Sequence, residues 1–265
     1  MDKNIDSTQA YYLNYDVENR IKQDKAHYVE FLLTMDVLGE LFSNLNPAQA
    51  TAADIGCGSG NYSVEVAPYV SRLYACDLMP NLLEQLSAKV QQYGFGHIIP
   101  ICGNAEHLPA VPDRSCDITL CMGPLYHLCE EDSRIRCLNE LKRITKPKGQ
   151  IVITYLNPRS LWANISRGKL TVEEFEHLEA QDWVLMPPFY FTSPTLVEKE
   201  LAVHGFTPKR HVALDAFTSF LLDEVNHWDS STYNSWLRIV RRHKEDPAWL
   251  AFSSHGLIVA EVDDR

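Results

Sequence analysis

The feature that most restricts the fold of this chain is a regular alternation of short apolar runs with amphipathic segments between residues 50 and 157. Each run is continuously apolar rather than alternately apolar and polar, and the runs are ATAADIG, SRLYACD, HIIPICGNA, SCDITLCMG and GQIVITYLN. Continuous apolar strands separated by helices are typical of a parallel sheet that is covered on both faces. Right-handed crossovers then predict a doubly wound α/β fold.

The alternation stops after residue 157. Two further strands are predicted at FTPKRHVAL and SSHGLIVAEV, and a long insertion precedes each of them, the second one mainly helical. Amphipathic spacing before the sheet predicts one or two helices. We find no repeat, linker or low-complexity tract, so we predict a single domain, residues 1–265. Its parts are an N-terminal helical cap (17–45), a core (50–156) and two insertions (158–192 and 215–250).

The charge balance disfavours a nucleic-acid substrate. The chain has 24 Lys and Arg against 35 Asp and Glu, a formal net charge of −11, whereas affinity for nucleic acid rests on many basic contacts. One basic cluster, RIVRRHKED at 238–246, is interpreted as a solvated helix face, with docking of an acidic partner as the alternative. A small molecule or a peptide is therefore the favoured ligand class, and no particular oligomeric state is predicted.

Cysteine usage and the lack of targeting signals predict a cytoplasmic protein. The seven cysteines include no Cys-x-x-Cys pair, which favours reduced thiols and argues against zinc, so no metal ligand is predicted. The first fifteen residues lack the apolar core of a signal peptide. No apolar run approaches the roughly 20 residues that a membrane helix needs, so no membrane contact is expected.

Three glycines follow the first predicted strand in the string Asp54-Ile-Gly56-Cys-Gly58-Ser-Gly60. Closely spaced glycines allow left-handed backbone and the close approach of a ligand. A dinucleotide-binding turn separates its last two glycines by two residues, but here the separation is one residue, and no Gly-Lys-Ser/Thr of a phosphate loop follows. Two interpretations of this glycine string remain: a site for a nucleoside cofactor, or a tight turn that binds no ligand.

Polar side chains at the next two strand ends favour the cofactor. Asp77 closes the second strand, where a carboxylate can accept hydrogen bonds from both hydroxyls of a ribose. Leu78 and Met79 follow it and can lie against a flat base. Asn104 follows the third strand, where its amide can face an adenine amino group, with a solvated loop residue as the alternative. Three such features in order predict a nucleoside cofactor at this edge of the sheet.

These motifs resemble those of the class I S-adenosylmethionine-dependent methyltransferases, over residues 50–156 by motif and over the rest by topology. The resemblance implies a seven-stranded sheet of order 3-2-1-4-5-7-6 with the last strand antiparallel. It also implies that S-adenosyl-L-methionine is the cofactor and that the N-terminal helices fold over it. The residues that would bind the cofactor are Asp54, Gly56, Gly58, Gly60, Asp77, Leu78, Asn104, Ala105, Met122, Gly123, Tyr15 and Arg20.

The same resemblance implies a role for several of these residues. Asp54 would anchor the amino end of the cofactor, and Asp77 would hold the ribose. Asn104 stands where the family usually has Asp, although its amide oxygen is still an acceptor. Arg20 is assigned to the methionine carboxylate, with a surface ion pair as the alternative.

The segment Gly123-Pro-Leu-Tyr126-His127-Leu resembles one in bacterial small-molecule methyltransferases, in which the tyrosine and histidine would point towards the methyl group. Methyl transfer is an in-line displacement that needs alignment and exclusion of water. It needs a base only when the nucleophile carries a proton. We assign Tyr126 to orienting the acceptor and His127 to the base, because imidazole titrates near pH 6.5. A hydrogen-bonded wall of the pocket is the alternative role for His127.

Both insertions follow strands that end on the acceptor side of such a sheet, and they are rich in aromatic residues. Aromatic side chains supply stiff apolar area, which predicts a largely apolar acceptor pocket under a lid; packing within the insertions is the alternative. The residues are Trp162, Trp183, Trp228, Trp236, Trp249, Phe189, Tyr190 and Phe191.

The predicted function is methyl transfer to an O or N atom of a small molecule or short peptide. A narrower alternative is methylation of a peptide α-amine in natural-product maturation. Another is a module that binds S-adenosylmethionine without turnover. An RNA methyltransferase is disfavoured, because the acidic composition makes a basic face hard to build.

Overall fold

Seven of the predicted apolar runs pair into one central sheet in the computed structural model, which describes residues 3–13, 15–20, 23–180, 184–185 and 189–264. Within these residues, two short strands, β6 and β7, form a separate antiparallel ribbon. The strands are β1 (Thr51–Ile55), β2 (Arg72–Asp77), β3 (Ile98–Cys102), β4 (Cys116–Cys121), β5 (Thr145–Leu156), β6 (Val184–Leu185), β7 (Phe189–Tyr190), β8 (Phe206–Ala213) and β9 (His255–Val262).

The sheet has the order β3-β2-β1-β4-β5-β9-β8, which confirms the predicted order 3-2-1-4-5-7-6. The first five strands are parallel, and β9 runs antiparallel to both β5 and β8. The direction of winding reverses between β1 and β4. In doubly wound sheets, ligands bind outside the carboxyl ends of the strands at such a reversal.

Helices connect and cover the strands. The segment before the sheet contains three helices, including one over residues 3–12 that the sequence did not predict. The helices are α1 (Lys3–Tyr12), α2 (Val17–Arg20), α3 (Lys25–Phe42), α4 (Asn61–Val66), α5 (Pro80–Tyr93), α6 (Glu131–Ile144), α7 (Leu161–Ser166), α8 (Val172–Ala180), α9 (Pro194–Val203), α10 (Leu222–His227), α11 (Ser230–His243) and α12 (Pro247–Leu250).

Two apolar cores lie on opposite faces of the sheet. On one face, α3, α5 and α11 contribute buried side chains such as Leu33, Leu86 and Val240. On the other face, α6 and α9 contribute Leu141 and Leu201 among others. Because both faces are covered, the strands are continuously apolar, as the sequence pattern required.

The second insertion packs on α3. The Tyr233 hydroxyl donates to the backbone oxygen of Lys25 at 2.8 Å. In the basic cluster at 238–246, Arg241 donates to the Asp36 carboxylate at 2.7 and 3.1 Å. Part of this cluster therefore faces acidic side chains of the same chain. Among the described residues, no helix is both long enough and apolar enough to cross a membrane.

Gly60 is expected to be costly to replace by alanine. Its φ is +82°, and a Cβ there would lie 2.3 Å from Leu86 Cδ1 in the core. Left-handed backbone and overpacking each cost about 1–3 kcal/mol, so we expect Gly60→Ala to destabilise the fold by about 2–4 kcal/mol in urea unfolding. Gly94 is the matched control, because its φ is +69° but no atom lies within 4 Å of a Cβ. Equal losses in the two variants would contradict the clash.

Candidate active site

A cavity of about 410 Å³ opens at the carboxyl ends of the parallel strands, beside the reversal between β1 and β4. It is lined by the turns after β1 to β4, by the α1–α3 segment, and by the ends of β5 and β9 that meet at this edge. Both residues assigned to catalysis line it, as do eleven of the twelve assigned to the cofactor; Gly60 does not. The eleven are Asp54, Gly56, Gly58, Asp77, Leu78, Asn104, Ala105, Met122, Gly123, Tyr15 and Arg20.

The turn after β1 begins with a buried carboxyl group. Asp54 is 2% exposed and accepts a hydrogen bond from Ser63 Oγ at 2.6 Å. Burial raises the pKa of Asp54 to about 6, although the Ser63 bond lowers it, and the nearby Asp77 raises it further. A cationic group bound beside Asp54 would lower this pKa again, because it stabilises the carboxylate.

Asp77 links the glycine turn to the end of β2. Its Oδ2 accepts from the Gly58 N–H at 2.7 Å, and its Oδ1 accepts from the Met79 N–H at 2.8 Å. Each oxygen retains lone-pair capacity for a further donor. Burial raises the pKa of this carboxyl, and the backbone hydrogen bonds act in the opposite direction. The geometry suits a diol bound between the two neighbouring turns.

The turn after β3 forms the next wall of the cavity. The Asn104 Oδ1 accepts from the Glu106 N–H at 3.0 Å, which fixes the side chain in its own turn. Its amide nitrogen has only a long contact of 3.5 Å, to Glu106 Oε1. Leu78 and Ala105 line the same cavity as Asn104.

The helix α2 sits over the glycine turn. A Cβ on Gly58 would lie 3.0 Å from Val17 Cγ1, so the helix approaches the turn closely. Arg20, at the end of α2, donates through Nη2 to both oxygens of Glu30, at 3.3 and 3.1 Å. This ion pair lies at the cavity rather than on the outer surface, because both Arg20 and the neighbouring Tyr62 line the cavity.

Six rings form one side of the cavity, and we call them the aromatic wall: Tyr11, Tyr12, Tyr15, Tyr126, His127 and Phe189. The centroid of His127 lies 4.8 Å from those of both Tyr126 and Phe189. Tyr11 packs edge-on against Phe189 at 5.2 Å and stacks on Tyr15 at 5.0 Å. The wall thus combines rings from α1, from the turn after β4 and from the first insertion.

His127 is buried and bonded within this wall. Its Nε2 lies 2.7 Å from the Tyr12 hydroxyl, and its ring is 6% exposed. Burial raises the pKa of Tyr12 well above 10.0 and that of Tyr126 to about 12. Both phenols are therefore neutral at physiological pH. The nitrogen of His127 nearest to Tyr12 is already engaged by a neutral hydroxyl.

The aromatic residues of the insertions are placed differently from the prediction. Of the seven that the structure describes, only Phe189 lines the cavity, and the four described tryptophans lie elsewhere. Trp228, Trp236 and Trp249 pack on one another at 5.8 and 6.2 Å. Trp162 packs on Phe175 at 5.4 Å, and Trp183 lies outside the described residues. Trp236 and Trp249 pack against the core on one face of the sheet, and Trp162 is 56% exposed, so none of these three lines the cavity.

Three charged residues of the site were missed by the sequence analysis: Glu30, Asp215 and His255. The His255 ring lines the cavity at the start of β9, opposite Leu156 in the register of β5. The sequence does contain a signal from which the position of His255 could have been predicted. An antiparallel strand begins at the edge where its parallel neighbours end, so a histidine that opens the last strand lies at the ligand-binding edge.

The known families and curated proteins that are similar to this chain include methyltransferases. Residues 53–153 match the family described as "Methyltransferase domain". The chain is 30% identical over 145 residues to a demethylmenaquinone methyltransferase of Bacillus licheniformis, covering 53% of this chain and 57% of that one. The chain spans little more than half the length of the curated relatives that it matches first.

Solved structures extend the similarity of fold to nearly the whole chain. A SAM-dependent methyltransferase from Aquifex aeolicus has a TM-score of 0.55 at 17% identity, with 97% of this chain and 98% of that chain covered. Geranyl diphosphate C-methyltransferase from Streptomyces coelicolor A3(2), in complex with Mg²⁺, geranyl diphosphate and S-adenosyl-L-homocysteine, has a TM-score of 0.57 at 15% identity, with 87% and 77% covered.

The protein therefore has the fold of the class I methyltransferases, and residues 53–153 match a methyltransferase domain. The cofactor of this domain is S-adenosylmethionine.

Proposed function

We propose that the whole protein transfers the methyl group of S-adenosylmethionine to an O or N atom of a small molecule or short peptide. The observation that carries this proposal is a single cavity with two chemically different parts. One part has buried carboxylates and the glycine turn at the ends of β1 and β2. The other has the aromatic wall, which includes Tyr126 and His127.

In the first part of the cavity, individual side chains are suited to individual groups of the cofactor. Asp77 would accept the ribose hydroxyls, Asn104 with Ala105 would meet the adenine edge, and Leu78 its face. Asp54 would face the cationic amino group, for which its buried carboxyl is suited. Arg20 already pairs with Glu30 through one nitrogen, and its other nitrogens would serve the methionine carboxylate.

The second part fits an acceptor with substantial apolar surface. Its walls are mainly rings, and aromatic walls bind flat or apolar groups with little loss of entropy. The segment Gly123–Leu128, which resembles that of bacterial small-molecule methyltransferases, contributes Tyr126 and His127 to this wall. A long nucleic acid is disfavoured by the net charge of −11. The seven free cysteines are in keeping with a cytoplasmic location.

Catalysis in this site would rest on alignment. When bound, the cofactor supplies an activated methyl group on a sulfonium; the chain holds the acceptor in line with it and excludes water. The neutral Tyr126 phenol would orient the acceptor by hydrogen bonding. His127 acts as a base only when Tyr12 releases its Nε2 or relays a proton to it. We also propose that one domain, rather than two, carries both parts of the cavity, with α1–α3 and the insertions as its lid.

The proposal is tested by incubating the protein with radiolabelled S-adenosylmethionine and a library of phenols, amines and short peptides. We expect label in one acceptor class, and loss of it with S-adenosylhomocysteine as competitor. Binding of S-adenosylmethionine without label in any acceptor would favour the alternative, a module that binds the cofactor without turnover.

Binding of S-adenosylmethionine is expected to weaken as the pH falls below about 6. Burial raises the pKa of Asp54 to about 6, so below that pH its carboxyl is neutral and cannot pair with an ammonium group. Near pH 6, binding should also release a proton, because the bound cation lowers this pKa. Calorimetry in two buffers of different ionisation enthalpy measures both effects. Asp54→Asn should bind weakly with a flatter pH profile; an unchanged profile would contradict the role of Asp54.

A further inference from the structure

An aspartate–histidine pair lies at the start of β9, beside the aromatic wall. The His255 Nδ1 lies 3.2 Å from Asp215 Oδ2 and 3.6 Å from Glu30 Oε2. Asp215 is itself held firmly, because its Oδ1 accepts from Ser253 Oγ at 2.6 Å and from the Ser254 N–H at 2.7 Å. The orientation of the imidazole is therefore set by a fixed carboxylate.

This arrangement determines which ring nitrogen carries the proton. Two carboxylates face Nδ1, so the neutral ring keeps its proton there and leaves the lone pair on Nε2. The neighbour of Nε2 is Arg20 Nη2, at a long distance of 3.4 Å. Arg20 has no lone pair to offer, so it can only donate. Nε2 is thus an acceptor at the cavity.

The charged groups around His255 favour its taking up a proton. Glu30 from α3 and Asp215 from the turn after β8 are negative, and Arg20 from α2 is positive. Burial lowers the pKa of His255, but the two carboxylates outweigh burial and Arg20, so the pKa lies above 6.5. Arg20 and His255 hold the pKa of Glu30 below its usual range despite burial, so this group stays charged.

We infer that His255, held by Asp215, is the proton acceptor for an acceptor molecule with an aromatic hydroxyl group. The inference rests on the proposed function and narrows its substrate class. The O–H proton would pass to Nε2 of His255, and the oxygen would form its bond to the methyl carbon as the carbon–sulfur bond breaks. The electron pair of that bond stays on sulfur, so the charges of phenolate and sulfonium cancel. Solvent later takes the proton from His255.

Two observations favour an aromatic hydroxyl over an aliphatic alcohol. The aromatic wall offers rings against which a planar ring can stack or pack edge-on. An imidazole matches the acidity of a phenol far better than that of an alcohol, since proton transfer is efficient when the two pKa values are close. The Nε2 of His255 has a long contact of 3.4 Å to Arg20 Nη2, whereas the Nε2 of His127 has a short one of 2.7 Å to the Tyr12 hydroxyl, so His255 needs to give up the weaker contact.

The test uses 4-nitrophenol as a probe, because its phenolate absorbs visible light and its phenol does not. The probe is titrated into the protein with and without S-adenosylhomocysteine, over a series of pH values. We expect the bound probe to ionise at least one pH unit lower than in solution, a tenfold gain in acidity. In His255→Gln this shift should vanish. In Asp215→Asn it should shrink, since loss of the negative charge weakens the base.

The exposed His227→Gln serves as the control and should behave as wild type. A probe that binds only as neutral phenol, or does not bind, overturns the inference, and so does a full shift in His255→Gln. Circular dichroism of each variant shows whether it is folded. Calorimetry with S-adenosylhomocysteine in the same samples separates the two proposals, because failure of that binding would overturn the proposed function, whatever the probe does.

Discussion

Asp77→Ala is expected to weaken the binding of S-adenosylmethionine on the order of 100-fold or more. Hydrogen bonds to a charged group contribute about 1.5–3 kcal/mol each, and the carboxylate of Asp77 is placed to accept two from a ribose. The same carboxylate accepts the Gly58 and Met79 N–H groups at 2.7 and 2.8 Å. The variant therefore loses both the sugar contact and the link between the two turns. Titration calorimetry measures the change.

Two matched variants separate these contributions. Asp77→Asn keeps one acceptor oxygen, so it should retain one of the two backbone hydrogen bonds while losing part of the affinity for the cofactor. Asp132→Ala removes an exposed carboxylate at the start of α6 and should bind as wild type. Thermal unfolding of each variant shows whether the fold survives. An Asp77→Ala protein that is folded and binds S-adenosylmethionine normally would remove Asp77 from the cofactor site.

The central sheet could be predicted from the sequence because each of its strands is recognisable from a short stretch of neighbouring residues. Each strand is a continuous apolar run that ends in a turn signal, and helices of the expected period lie between them. Asp77, Asn104 and the glycines stand at strand ends, and the topology alone brings strand ends to one edge. Strand ends account in this way for Asp77, Asn104 and the glycines, whereas Tyr15 and Arg20 were implied only by the family resemblance; eleven of the twelve candidates line one cavity.

The acceptor side could not be predicted in the same way, because its contacts join distant parts of the chain. Tyr12 meets His127 across 115 residues, and Arg20 meets His255 across 235. No local pattern indicates such pairs. The positions of the tryptophans in the insertions were predicted wrongly for a related reason. A large aromatic ring in an insertion can pack in the core or line a pocket, and the sequence alone does not distinguish these two positions. Here three of the tryptophans, which come from α11, α12 and the residue after α10, pack on one another.

The two parts of the cavity also differ in how many of their residues lie within the segment that matches the methyltransferase domain family. The family match ends at residue 153, before every insertion and before β9. Tyr12, Arg20, Glu30, Phe189, Asp215 and His255 all lie outside it. The matched segment thus contains most of the residues proposed to bind the cofactor, whereas four of the six rings of the aromatic wall lie in the rest of the chain. Acceptor specificity is therefore expected to depend on residues that the family match does not cover.

His127→Ala is expected to lower turnover about 100-fold while leaving the affinity for S-adenosylmethionine nearly unchanged. The ring contacts Tyr126 and Phe189 at 4.8 Å and bonds to Tyr12, so its loss loosens the wall against which the acceptor is aligned. A misalignment of about 1 Å is enough for an effect of this size. The measurement is single-turnover methyl transfer to the acceptor found in the library, with calorimetry for the cofactor.

Tyr12→Phe distinguishes alignment from proton transfer, because it keeps the ring and removes the hydroxyl bonded to His127. If His127 only aligns the acceptor, Tyr12→Phe should cause a smaller loss of the same kind, and the pH profile should keep its shape in both variants. If His127 is the base, freeing its Nε2 should raise turnover or shift the profile, and His127→Ala should abolish the limb that reports the base. Full turnover by His127→Ala would exclude both roles and leave the residue as a replaceable part of the cavity wall.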